Sequence, residues 1–84
     1  MVTVTILYFA SAREIVGLQS EQLLISQTSL SEAELLTILT QRHQHLAKLE
    51  GRLVIAHNES YISGSVIELS EGDEIALIPP VSGG

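Results

Sequence analysis

Apolar and polar positions alternate along residues 2–9, and this period of two predicts a first strand. One face of the strand carries four large residues, namely Val2, Val4, Ile6 and Tyr8. The other face begins with threonines but ends with Leu7 and Phe9. We therefore expect the end of the second face either to be covered or to form an exposed apolar patch.

The next two segments predict a turn and a second strand. Residues 10–17 are typical of a short helical turn closed by Gly17, which stands where a left-handed cap residue belongs. Residues 18–26 alternate again, and we expect this strand to pair with the first as a hairpin.

One long helix is predicted from residue 29 to about residue 43. Ser31 and Glu34 have the spacing of a capping box. Leu30 and Leu35 are spaced for a hydrophobic staple around the same N-cap. Apolar residues recur every three or four positions along this segment, so we expect the resulting stripe to pack in the core.

The remaining chain predicts short strands separated by turns. The extended segments are residues 52–57, 61–62, 66–69 and 74–78. This order of elements predicts an α+β roll, in which a mixed sheet packs on one main helix. We expect residues 1–84 to form a single domain with a flexible C-terminal tail at residues 79–84.

The composition indicates that a partner covers part of the apolar surface. An 84-residue domain has a modest core, yet 45% of the residues are hydrophobic and the mean hydropathy is +0.33. Some apolar surface is therefore expected to be covered by a partner. No apolar run is long enough to span a membrane, and residues 1–5 lack the features of a signal peptide. These features predict a soluble cytoplasmic protein.

Charge and cysteine content exclude several function classes. Four basic residues against ten acidic ones give a net charge of −6, which argues against nucleic-acid binding and favours a basic partner surface. The absence of cysteine excludes disulfides, thiolate metal sites and a cysteine nucleophile.

The body of the chain carries no recognisable catalytic constellation. His43 and His45 are two residues apart, so on a helix they face different ways and do not form a metal pair. Glu71, Asp73 and Glu74 surround a glycine and predict an acidic turn. No nucleophile–base pair or acid–base dyad stands out, so we expect the body not to be an enzyme.

The tail then becomes the candidate reactive segment. Pro79 and Pro80 end the last strand, and Val81-Ser82-Gly83-Gly84 follow with almost no side-chain bulk. One interpretation is a frayed terminus. The other is an arm that carries the Gly84 carboxylate into a narrow channel. A carboxylate must be activated before it reacts, for instance as an acyl-adenylate made by a separate enzyme.

Two sequence blocks carry a resemblance to a known family. The first is Leu7-Tyr8-Phe9-Ala10 with Arg13-Glu14 and Gly17, and the second is Gly72-Asp73-Glu74-Ile75-Ala76 followed by residues 78–84. With these blocks the whole chain resembles the small subunit of molybdopterin synthase (the MoaD family), a ubiquitin-like β-grasp sulfur carrier.

The resemblance implies a chemical role for Gly84. An activating enzyme of the ubiquitin-activating type is expected to use ATP to adenylate Gly84, and sulfur then converts it to a thiocarboxylate. The large synthase subunit is expected to receive the tail and pass the sulfur to cyclic pyranopterin monophosphate. The implied assembly is a heterotetramer, and no cofactor is expected in the fold itself.

A docking face is expected to serve both partners. We hypothesise that Phe9, Tyr61 and Ile78 are exposed and contact them, although core burial is the alternative, above all for Ile78. Arg13 and Glu14 either fix the local turn or support the interface.

Three other functions stay open on the sequence. A sulfur carrier for thiazole synthesis would share the fold and the tail, although that family is usually shorter and lacks the first block. A ubiquitin-like modifier would form bonds to lysines. A plain interaction module would leave the tail idle.

Overall fold

The computed structural model of this chain describes residues 1–49, 51–62 and 66–80. Its strands are β1 (Val2–Tyr8), β2 (Ser20–Ile25), β3 (Ser29–Ser31), β4 (Val54–His57), β5 (Ser60–Ile62), β6 (Val66–Glu68) and β7 (Glu74–Ile78). Its helices are α1 (Ala10–Val16), α2 (Glu32–Arg42) and a 3₁₀ helix, Gln44–Leu49. No helix within these ranges is long and apolar enough to cross a membrane.

The main sheet is mixed, as the element order predicts. Its strand order is β2–β1–β7–β4–β5. β1 and β7 run parallel at the centre, and the neighbouring pairs β1–β2, β4–β7 and β4–β5 are antiparallel. The first and last strands of the described residues therefore lie side by side.

The core lies between the inner face of this sheet and the helices. Val4, Ile6 and Tyr8 are buried on β1, in agreement with the alternation of that segment. From α2, Leu35 and Leu39 join the same cluster and have no exposed surface. Burial of such side chains is the main favourable contribution to the stability of a domain of this size.

The two predicted helix boundaries with a specific residue signal are confirmed. Ser31 caps α2 through its Oγ, which accepts from the backbone N–H of Glu34 at 3.1 Å, and Glu34 Oε1 accepts from Ser31 N–H at 2.8 Å. Gly17 ends α1 with a left-handed φ of 84°, and its N–H donates to the carbonyl of Arg13 at 2.7 Å.

Two segments differ from the sequence-based prediction. The helix does not begin at residue 29, because Ser29–Ser31 is extended and pairs with Val66–Glu68 as a separate two-stranded sheet. The predicted connection at residues 46–51 is largely helical, since Leu46 and Leu49 are buried on a 3₁₀ helix. In both cases, tertiary contacts made by buried leucines decide a local structure that the sequence leaves open.

Candidate functional site

The outer face of the main sheet carries an apolar depression of about 310 Å³, which we call the outer patch. It is lined by Leu7, Phe9, Ala56, Glu59, Tyr61, Glu74, Ala76 and Ile78. These residues lie on the adjacent strands β1, β7 and β4, on the edge strand β5, and at positions that directly flank these strands. Strand register explains the grouping, because Leu7 lies opposite Ala76, and Ala76 lies opposite Ala56.

Phe9 projects from the end of β1 into the outer patch. Its extended backbone, with φ −114° and ψ 150°, continues the alternation of the strand, so its side chain falls on the same face as Leu7. The next residue, Ala10, has a left-handed φ of 49°, and this turn starts α1. The ring is 45% exposed, an unusual state for a phenylalanine in a small domain.

Tyr61 and Ile78 complete the apolar lining. Tyr61 on β5 lies opposite Ala56 on β4 and is 75% exposed. Ile78 at the end of β7 is half-buried. The hypothesis that all three residues are exposed is therefore correct for Phe9 and Tyr61 and only partly so for Ile78. All three line the same depression, and their contact with partners stays a prediction.

The base of the tail lies at the rim of the outer patch. The carbonyl of Leu77 accepts from the N–H of Phe9 at 3.2 Å, so β7 ends beside the phenylalanine. Pro79 is buried and Pro80 is exposed. The predicted arm residues Val81, Ser82, Gly83 and Gly84 lie outside the described residues.

A partly buried polar network fixes the strand end that presents Phe9. The hydroxyl of Tyr8 donates to Glu21 on β2, Arg42 Nε donates to Glu21 Oε1 at 2.9 Å, and His43 Nε2 lies 2.5 Å from Glu21 Oε2. The rings of Tyr8 and His43 also meet edge to face, with centroids 5.8 Å apart. The C-terminal end of α2 is thereby tied to both β1 and β2.

The geometry of this network shifts the pKa values of Tyr8 and Glu21 in opposite directions. Burial, followed by the hydrogen bond to the Glu21 carboxylate and the charge of that carboxylate, raises the pKa of Tyr8 well above its ordinary value of 10.0. Burial alone raises the pKa of Glu21, but its hydrogen bonds to Tyr8, His43 and Arg42 outweigh burial and lower that pKa overall. The phenol therefore stays a donor and the carboxylate an acceptor.

A second histidine–carboxylate contact lies at the other end of the sheet. His57 Nε2 is 2.7 Å from Asp73 Oδ2, which also accepts from the N–H of Ser70 at 2.9 Å. The bond to His57, then that to Ser70 and that to Asn58, lower the pKa of Asp73 to about 2. Sequence analysis missed this pairing, because 16 residues separate the two side chains and only the β4–β7 register brings them together.

This low pKa predicts a loss of stability in acid. Because the pKa of Asp73 is lower in the folded chain than its ordinary value of 3.8, the carboxylate stabilises the fold above about pH 4. That contribution should disappear as the pH falls toward 2. Urea unfolding at several pH values measures it, and Asp73→Asn should flatten the dependence between about pH 4 and pH 2. An identical slope in both proteins would contradict the prediction.

Neither network forms a metal centre. In the described part of the chain, no three histidine, aspartate or glutamate side chains come together in a way that could hold a metal ion. His45 is exposed on the 3₁₀ helix, whereas His43 faces Glu21, so the two do not act as a pair. The contacts of Glu21 and Asp73 tie separate elements of the fold together.

Comparison with known proteins decides the family, because the model of the ThiS family matches residues 6–84. This chain belongs to the ThiS family. A curated relative from Aedes aegypti is named molybdopterin synthase sulfur carrier subunit. It is 39% identical over 89 residues, which cover 100% of this chain and 91% of the relative. The resemblance to small subunits of molybdopterin synthase is thus confirmed.

Two solved structures agree with the β-grasp fold. Small archaeal modifier protein 1 from Methanosarcina acetivorans is 29% identical, with a TM-score of 0.75 over 100% of this chain and 98% of that chain. A chain in the complex of subunits 1 and 2 of the molybdopterin-converting factor from Helicobacter pylori is similar as well. That match is 30% identical, with a TM-score of 0.69 over 98% of this chain and 99% of the other.

Proposed function

We propose that this chain is the sulfur-carrier subunit of a molybdopterin synthase. The observation that carries the proposal is its full-length similarity to proteins named for that role. The geometry supports it, because the outer patch and the base of the glycine-ending tail adjoin at Ile78 and Pro79. A partner seated on the patch would receive the tail directly.

Gly84 is the proposed site of the chemistry. Its carboxylate attacks the α-phosphorus of ATP on a separate adenylating enzyme of the ubiquitin-activating type, which releases pyrophosphate and forms a glycyl adenylate. Sulfur at the oxidation level of sulfide then displaces AMP and gives a thiocarboxylate. Glycine suits this role because it has no Cβ to obstruct a narrow active-site channel.

The sulfur is then delivered on the large synthase subunit. Cyclic pyranopterin monophosphate takes the sulfur, and an oxygen from water restores the Gly84 carboxylate. Two such deliveries supply the two sulfurs of the dithiolene. The body of this chain positions the reacting group and contributes no catalytic side chain in this scheme.

The outer patch is the proposed docking surface for the large subunit and for the adenylating enzyme. Phe9 and Tyr61 supply aromatic area of the kind that dominates binding energy at interfaces. A complex between subunits 1 and 2 exists for the Helicobacter pylori protein, and we extend that pairing to this chain as part of a heterotetramer.

Intact mass after co-expression with the adenylating enzyme and a sulfur source tests this proposal. We expect a shift equal to the replacement of one oxygen by sulfur, located at Gly84 by fragmentation. A known carrier treated in parallel controls for the enzyme. An unmodified chain beside a modified control would count against the proposal.

A ubiquitin-like modifier is the second candidate, and the likeness to small archaeal modifier protein 1 favours it. Such a modifier would be found joined to lysine side chains through Gly84. A search for lysines that carry the C-terminal segment of this chain, residues 53–84 after tryptic cleavage at Arg52, distinguishes the two functions, because a pure carrier leaves no such branched peptide. A sulfur carrier for thiazole synthesis would give the same mass shift but would not support synthesis of molybdopterin with the large subunit.

A further inference from the structure

The turn between β4 and β5 has an unusual backbone conformation. Its two central residues, Asn58 and Glu59, both have left-handed φ values, 49° and 72°. Such a pair matches the twist of a two-residue hairpin, and asparagine tolerates the conformation well. Glutamate does not, and strained backbone persists only where surrounding contacts hold it.

Asn58 supplies those contacts through a reciprocal pair of hydrogen bonds to Glu74. Its backbone N–H donates to the Glu74 carbonyl at 2.9 Å, and its Oδ1 accepts from the Glu74 N–H at 2.8 Å. The side-chain oxygen takes the place of a backbone carbonyl. The pair therefore adds one rung to the antiparallel ladder beyond the last β4–β7 partners, His57 and Ile75.

The segment that receives these bonds is itself anchored. The carbonyl of Asp73 accepts from Thr5 N–H at 2.9 Å, and the N–H of Gly72 donates to the Thr3 carbonyl at 2.8 Å. The His57–Asp73 contact ties the end of β4 to the same turn. The hairpin is thus fastened to a rigid part of the sheet.

In the described part of the chain, two further contacts attach the strand that follows the turn: its pairing with β4 and the packing of Ile62 against the buried cluster. β5 has three residues and lies at the edge of the sheet, and within the described residues β4 is its one pairing partner. Tyr61 at its centre is 75% exposed, so core packing does little to fix its ring. The position of the Tyr61 ring in the outer patch therefore depends on the direction in which the turn leads β5 away from β4.

We propose that Asn58 is a positioning residue for partner binding, and that its paired hydrogen bonds to Glu74 hold Tyr61 in the outer patch. The inference rests on the proposed function, in which the patch docks on the large synthase subunit. Asn58 makes no contact with the partner in this scheme and acts only through Tyr61.

A double-mutant cycle with the purified large subunit tests this coupling. Asn58→Gly keeps the left-handed backbone accessible but removes the side-chain oxygen, and we expect the Kd to rise roughly tenfold. In a Tyr61→Ala background, the same change should cost less than about twofold, because its target is gone. In a Phe9→Ala background, the tenfold loss should remain.

Amide hydrogen exchange on the free chain gives a second readout. Asn58→Gly should increase exchange at the backbone N–H groups of β5 and leave those of Ile6 and Leu77 unchanged. Asn58→Asp keeps an acceptor oxygen and tolerates the same backbone but loses the amide that bonds Asp73, so its affinity should lie between those of the wild type and Asn58→Gly. Equal losses in the two variants would overturn the role of that oxygen.

The outcomes separate this inference from the proposed function. If Tyr61→Ala weakens binding but Asn58→Gly does not, the positioning role is wrong and the docking surface stands. Equal effects of Asn58→Gly with and without Tyr61, or global unfolding of Asn58→Gly, would overturn it as well. If neither Phe9→Ala nor Tyr61→Ala changes the affinity, both the docking surface and the positioning role fail.

Discussion

Deletion of Gly84 should abolish sulfur transfer while leaving the folded domain and its affinity for the large subunit nearly unchanged. The proposed reaction takes place at the carboxyl carbon of Gly84, and the deletion moves that carbon back by one residue, or about 3.3 Å. A misplacement of about 1 Å can cost roughly a hundredfold in rate, so a shift of this size should leave no measurable transfer. Thiocarboxylate formation and product synthesis measure the effect separately.

The matched control is Ser82→Ala, which keeps the length of the tail and its terminal glycine. That variant should retain most of its activity if reach and the glycine carboxylate are what matter. Full activity of the deletion variant would contradict the carrier mechanism. It would favour an interaction module, for which the tail is idle.

Replacement of Phe9 by alanine should weaken binding to the large subunit by about 2 kcal/mol, or roughly 30-fold in Kd. Phe9 is a large apolar side chain that lines the outer patch, and its exposure means that its area is available to a partner. The stability of the free chain should change little, because the ring is not part of the buried cluster. Isothermal titration and urea unfolding measure the two quantities.

Leu24→Ala provides a matched control on the same face of the sheet. Leu24 is 59% exposed and lies opposite Thr3, at the far end of β1 from Phe9. The two positions are separated by about 20 Å along the strand, so this truncation should leave the affinity within about twofold of the wild type. Similar losses for both variants would show that the binding surface is not centred on the outer patch.

Local signals in the sequence were sufficient for the elements whose boundaries depend on one or two residues. Gly17 and the Ser31–Glu34 capping box predict helix ends because each satisfies backbone groups by itself. The alternation of residues 2–9 likewise predicts which side of β1 is buried, and it indicates the exposed apolar end that includes Phe9.

Pairing between segments that are distant in the sequence could not be predicted from local signals. β3 and β6 have three residues each and, in the part of the chain that the structure describes, they form a two-stranded sheet with one another. Neither has a periodic pattern long enough to detect. The contact of His57 with Asp73 depends on the register of β4 and β7, and the contacts of Glu21 with Arg42 and His43 depend on where the end of α2 lies relative to β2. Of the outer patch, Leu7 and Ala76 could have been found by alternation, but Glu59 enters it only through the left-handed turn.

The central place of β7 has a consequence for the timing of synthesis. This strand is the last that the structure describes, yet it lies between β1 and β4 and completes the middle of the sheet. A nascent chain that lacks residues 74–78 can form the β1–β2 hairpin but cannot join it to β4. Native contacts of such high sequence separation form late in folding. The outer patch is therefore assembled only after translation has passed Ile78. A partner that binds the outer patch cannot bind the chain before that point.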